Sequence, residues 1–125
     1  MAARIFISYS SKDSEIAQFI HDELLKRGAD VFIDYRSIDD GDDFFERIAR
    51  EVEERDRVLF LVSQHSVGSK WVKIELQHAF ENDKPITPIA LDDTAIPRPL
   101  FFVGKLQRRA FERSAEYMTR LCKVL

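Results

Sequence analysis

Apolar residues along the chain gather into four short continuous runs, "RIFIS", "DVFID", "RVLFLVS" and "ITPIAL", rather than alternating with polar ones. A strand covered on both faces needs apolar side chains on both sides of its pleat, so continuous runs of this length predict buried strands of a parallel sheet. Between the runs the period changes. In "DSEIAQFIHDELLKRG", Ile16, Phe19, Ile20 and Leu24 stand at i, i+3, i+4 and i+8, with Asp and Ser at the start and Gly28 at the end, the marks of a capped amphipathic helix. "DDFFERIAREVEER" predicts a second helix, with acids in its first turn and Ile48 and Val52 four apart on the buried side. Residues 69–80, "SKWVKIELQHAF", predict a third.

After Leu91 the pattern weakens. "DDTAIPRPLFFVGK" carries Pro97 and Pro99 and reads as a long loop with one helical turn. "LQRRAF" reads as a short edge strand, and "ERSAEYMTRLCKVL" as a last helix with Ala115, Met118, Leu121 and Cys122 inward. Strands alternating with helices at this spacing require right-handed crossovers and place helices on both faces of the sheet. The predicted fold class is therefore α/β, a flavodoxin-like three-layer α/β/α arrangement with a central five-stranded parallel sheet. No internal repeat or low-complexity tract interrupts it.

Composition narrows the class of protein. A chain of 125 residues, 45% hydrophobic and 33% charged, suits one compact domain spanning 1–125 with a core of its own. The 19 Lys and Arg against 22 Asp and Glu leave a net charge of -3, so no basic field invites a nucleic-acid partner. Cys122 is the only cysteine, which rules out an internal disulfide and points to a reducing, cytoplasmic compartment. The apolar run in "MAARIFISYS" is too short for a signal segment or a membrane span, so no membrane partner is expected. The chain starts directly in a core element and stops on the apolar "LCKVL", as a piece excised from a longer protein would.

Ligands of open parallel sheets bind outside the carboxyl ends of the strands, near the point where strand order reverses. The residues that follow the four runs are Ser8, Tyr9, Ser10 and Ser11; Asp34, Tyr35 and Arg36; Ser63, Gln64, His65 and Ser66; and Asp92 and Asp93. They collect polarity on that edge, although strands also simply end where polarity begins. "YSSKDS" leads into the first helix and offers amides and hydroxyls to an anion such as phosphate; the same residues also serve as ordinary helix caps. Several chemistries are disfavoured. The chain has no G-x-G-x-x-G, no Walker loop and no G-x-S-x-G elbow. Ser63 stands where a response-regulator receiver would carry its phosphoacceptor acid. His21, His65 and His78 lie far apart and no Cys or His pair has ligand spacing, so no metal site is expected. In "SKWVKIELQHAF", Trp71, Glu75 and His78 share one side of the helix, with Glu75 about 40° from Trp71 at the edge of the apolar arc. That seam position admits two readings, a solvated acid and a reactive one.

The blocks "RIFISYSSKDSE", "GADVFIDYRSIDDGDDF", "VLFLVSQHSVGSKWVKIELQHAF" and "ITPIAL", in this order and over nearly the whole chain, resemble the TIR (Toll/interleukin-1 receptor) domain family, particularly its bacterial members. "DYRSIDDGDDF" looks like the family's BB loop, with Gly41 at the turn and Phe44 beyond it; Trp71 and Glu75 match its W-x-x-x-E pattern. The resemblance implies one of two functions, cleavage of NAD+ at the nicotinamide N-glycosidic bond or non-catalytic TIR-to-TIR adaptor signalling. For the first, it implies that Glu75 is the catalytic acid, binding the ribose diol and stabilising the cation that develops on the sugar. Trp71 and Phe44 would wall the pocket, with core packing an equal reading for Trp71. Tyr9, Ser10 and Ser11 would face the phosphates or the nicotinamide ribose, and Asp39 and Gly41 would meet the ligand from the BB loop. NAD+ would be the substrate, with no further cofactor, and homotypic assembly with other TIR domains would complete the site.

Overall fold

The computed structural model describes residues 3–33, 44–103 and 111–125. Strand β1 (Arg4–Ser8) is followed by one 3-10 turn (Ser11–Asp13) and helix α1 (Ser14–Lys26). Strand β2 (Asp30–Phe32), helix α2 (Phe44–Glu54), strand β3 (Arg57–Val62), helix α3 (Lys70–Glu81) and strand β4 (Ile86–Ala90) come next. A 3-10 segment (Arg98–Val103) and helix α4 (Ala115–Val124) close the chain. The apolar runs thus become strands and the periodic segments become helices, β2 ending two residues before its run does. Gly28, at φ +90, takes the left-handed conformation that ends α1.

The strands pair in parallel in the order β2-β1-β3-β4, with Phe6 opposite Phe32 and Ser8 opposite Phe60. This is the flavodoxin-like order, and the strand order reverses between β1 and β3. Four strands are seen among the described residues against the five expected. The segment expected to supply the fifth, 106–111, lies outside them except for Phe111, whose N–H donates to Ala90 O at 2.9 Å. Because Leu91 N bonds to Val62 O, Pro88 and Ala90 turn their nitrogens away from β3. Pro88 therefore costs the β3–β4 ladder no hydrogen bond.

Alternation along β1 divides the core into two layers. Phe6 stacks on Phe32 at 5.4 Å, and the Phe32 ring lies beneath the guanidinium groups of Arg47 and Arg55 at the α2 layer. Phe6 and Ser8 thus face α2 and α3, while Ile5 and Ile7 face α1 and α4; all four are buried. Ile48 and Val52 of α2 and Ile20 and Leu24 of α1 point inward as their spacing predicts. In α4 the inward face is rotated from the expected one. Ala115 is exposed and Tyr117 is buried beside Met118 and Leu121, because Tyr117 packs edge-on against Phe111, which in turn meets Phe19 of α1.

Candidate active site

Helix α3 starts from Ser69, whose side chain accepts from Val72 N and caps the first turn. Its buried stripe is Val72, Glu75, Leu76 and Ala79, at i, i+3, i+4 and i+7. One of these four core positions is a carboxylate. Glu75 is 1% exposed, so it lies within the core stripe and not on the seam that helical spacing alone suggests. The reason is that β1 ends beneath it with a serine in the inward phase. The Ser8 hydroxyl, 0% exposed, donates to Glu75 Oε1 at 2.7 Å. An apolar residue would fill either position at lower desolvation cost, so this buried polar pair has no packing reason to exist.

The loops on either side of the strand-order reversal are bound to each other. Ser63, directly after β3, donates through Oγ to Asp13 Oδ2 at the start of α1 and accepts from His65 N and Ser66 N at 3.1 Å each. Ser66 Oγ in turn accepts from Ser63 N at 2.9 Å. After β4, Asp92 accepts from Gln64 N and Thr94 N at 2.9 Å each, and hydrogen bonds from Thr94 and from the Gln64 backbone hold its carboxyl below the usual range. Among the described residues the ends of β1, β3 and β4 are thus joined in one polar network; Asp34, Tyr35 and Arg36, after β2, lie outside them.

The remaining expected site residues fall as follows. Tyr9 is buried, its hydroxyl 3.5 Å from Ile33 O; Ser10 caps the 3-10 turn by accepting from Lys12 N; Ser11 is exposed. Trp71 is 39% exposed and stands among the exposed large apolar side chains, not among the fully buried core residues. Asp39 and Gly41 lie outside the described residues, as does the side chain of Phe44, whose backbone opens α2. Glu75 and the β1 end are brought together. Ser8 and the Asp13–Ser63 bridge were visible in sequence only as strand-end and cap residues. The signal for Ser8 was its phase, two residues after Phe6 and so on the same inward face. Among the described residues no group of His, Cys, Asp and Glu could hold a metal ion, and no helix is long and apolar enough to cross a membrane.

A doubly wound parallel sheet with a buried carboxylate under the carboxyl end of its first strand defines the class of the domain: an α/β module built to present polar groups at a topological switch point. The chain matches the family model described as TIR domain over residues 5–123, and it belongs to that family. It is 28% identical over 101 residues to the Cytobacillus dafuensis protein named "Putative cyclic ADP-D-ribose synthase TIR2", covering 73% of this chain and 26% of that protein. The chain therefore spans about a quarter of that relative's length. Among solved structures, it is similar to the TIR domain of the Toll-related receptor TRR-2 from Hydra magnipapillata, with 22% identity, a TM-score of 0.69, and coverage of 82% of this chain and 81% of that one. It is also similar to the Clostridium botulinum CMP N-glycosidase BcmB, with 18% identity, a TM-score of 0.66, and coverage of 96% and 98%. At these identities the structural likeness establishes the fold.

Proposed function

We propose that the domain cleaves NAD+ at the nicotinamide N-glycosidic bond, giving nicotinamide and either ADP-ribose or a cyclic ADP-ribose isomer. The observation that carries this reading is Glu75, a carboxylate held inside the core stripe of α3 beneath the carboxyl end of β1. As the bond between the ribose C1′ and the pyridinium nitrogen breaks, its electron pair leaves with nicotinamide and positive charge develops on the ribose. A carboxylate in a water-poor site stabilises that charge far better than one in bulk solvent. Water, or a ring nitrogen of the adenine for the cyclic product, then adds to C1′, with water releasing a proton to the medium. The name of the Cytobacillus dafuensis relative fits this chemistry, and the likeness to BcmB supports a fold able to accommodate N-glycosidic cleavage of a nucleotide.

Assembly with further copies of the domain belongs to the same reading. Trp71 and Ile74, one turn apart on α3, are neighbouring large apolar side chains exposed on the surface, which suits contact with a partner domain. The same observation favours the second reading, a TIR-to-TIR adaptor without chemistry. Either activity would serve cytoplasmic signalling in bacterial immunity or virulence. Clustered protein, tethered on a scaffold or concentrated, should release nicotinamide from NAD+, and Glu75→Ala and Glu75→Gln should abolish release while leaving the fold intact by circular dichroism. NAD+ left intact by clustered wild type, or full turnover in Glu75→Gln, would return the domain to the adaptor reading. Release of cytosine from CMP in a parallel assay would replace the dinucleotide by a mononucleotide substrate.

A further inference from the structure

Resting on the glycosidase reading of Glu75, the structure assigns to Ser8 the role of positioning residue for that carboxylate. The terminal torsion of a glutamate joins sp3 and sp2 carbons and has a broad, nearly two-fold profile, so helix geometry and packing fix the chain of Glu75 without fixing the plane of its carboxylate. The hydrogen bond from Ser8 Oγ to Oε1, at 2.7 Å, restrains that plane. At that distance it is a well-formed O–H···O bond, and both groups are buried from water that would otherwise compete.

The donor itself is delivered from a rigid element. Ser8 pairs with Phe60 in the β1–β3 register, with Phe6, two residues before it, stacked on Phe32. Its Cα and Cβ are therefore held in place, and the hydroxyl moves only by rotation about χ1. A serine closing a buried strand serves packing no better than alanine would. What the hydroxyl adds is an anchor 67 residues away in sequence for one oxygen of the acid.

The test combines an activity-independent signal with kinetics. In protein carrying 13C at the glutamate carboxyl carbons, the Glu75 resonance is identified by its loss in Glu75→Gln. Ser8→Ala should move that resonance, lower kcat on NAD+ by about 10- to 100-fold and leave KM within about twofold, since misplacement of the acid affects the transition state more than binding. Ser8→Thr, which restores a hydroxyl, should recover both signals. Should Ser8→Ala fail to fold, the isosteric weak donor in Ser8→Cys is measured instead, with the same direction and a smaller effect. An unmoved resonance, or wild-type turnover in Ser8→Ala beside an inactive Glu75→Gln, would overturn the role of Ser8 alone. Full turnover in Glu75→Gln would overturn the glycosidase reading and the role of Ser8 with it.

Discussion

Asp13 and Ser63, fifty residues apart in sequence, are joined by a hydrogen bond that closes the two loops flanking the strand-order reversal. The Ser63 hydroxyl uses its proton on Asp13 and its lone pairs on the N–H groups of His65 and Ser66. Its full bonding capacity is therefore used within the protein. This fixes the path of the chain from β3 toward α3, and so the start of the helix that carries Glu75.

Ser63→Ala should for that reason cost about 1–3 kcal/mol, the range for leaving buried donors without an acceptor. Asp13→Asn keeps an accepting oxygen and should cost less, about 1 kcal/mol or below. Urea denaturation of the two variants checks both the size and the order. Equal midpoints for Ser63→Ala and wild type would show that the bridge contributes no stability.

Arg55, with a side chain 11% exposed, is the second point where distant elements are tied. It donates to Asp30 Oδ1 at 2.7 Å and to Glu51 Oε1 at 2.9 Å, and its guanidinium lies 5.7 Å from the centre of the Phe32 ring. Only Glu51 shares its burial; Asp30 is 58% exposed and its part of the attraction is screened. Arg55→Met should therefore cost about 1–2 kcal/mol, below the figure for breaking a fully buried pair. Arg55→Lys keeps the charge but cannot span both carboxylates with one planar fork, and should recover only part of the loss. Thermal unfolding of both variants, with Arg55→Lys falling between wild type and Arg55→Met, is the expected result.

Continuity of the apolar runs made the strands legible in sequence, and the i, i+3, i+4 spacing did the same for α1, α2 and α3. Both periods reflect contacts close along the chain. The depth of Glu75 was not legible for the opposite reason. Helical spacing set its angle relative to Trp71, but its burial depends on β1 ending in an inward-facing serine far upstream. The family pattern singled out Glu75 where local geometry alone could not. The same limit applies to α4, where spacing favoured Ala115 as an inward residue. The Phe19–Phe111–Tyr117 ring contacts turn the helix the other way, and Phe111 lies outside it. Non-local pairs of this kind leave no periodic trace.

Helix α4 carries two neutral acids, and both should make the fold sensitive to alkali. Burial pushes the Tyr117 phenol up from its ordinary value near 10.0, with Glu112 adding to the shift and Arg120 opposing it. Burial likewise pushes the Cys122 thiol up from near 9.0, with Arg27 opposing; Cys122 lines a cleft of about 220 Å³ with Leu24 and Leu125. A group whose folded pKa lies above its unfolded one binds its proton more tightly in the native state. Its contribution is fully present below the unfolded pKa and is lost as pH rises through the folded pKa. Unfolding free energy, followed by urea denaturation between pH 7 and about 11, should therefore be level at first and then fall, the thiol acting before the phenol. Cys122→Ser should remove the earlier part of the fall and Tyr117→Phe the later part. A double variant with the same alkaline slope as wild type would place the sensitivity elsewhere in the molecule. The flattened slope expected instead would show that the docking of α4 on α1 depends on keeping these two side chains protonated.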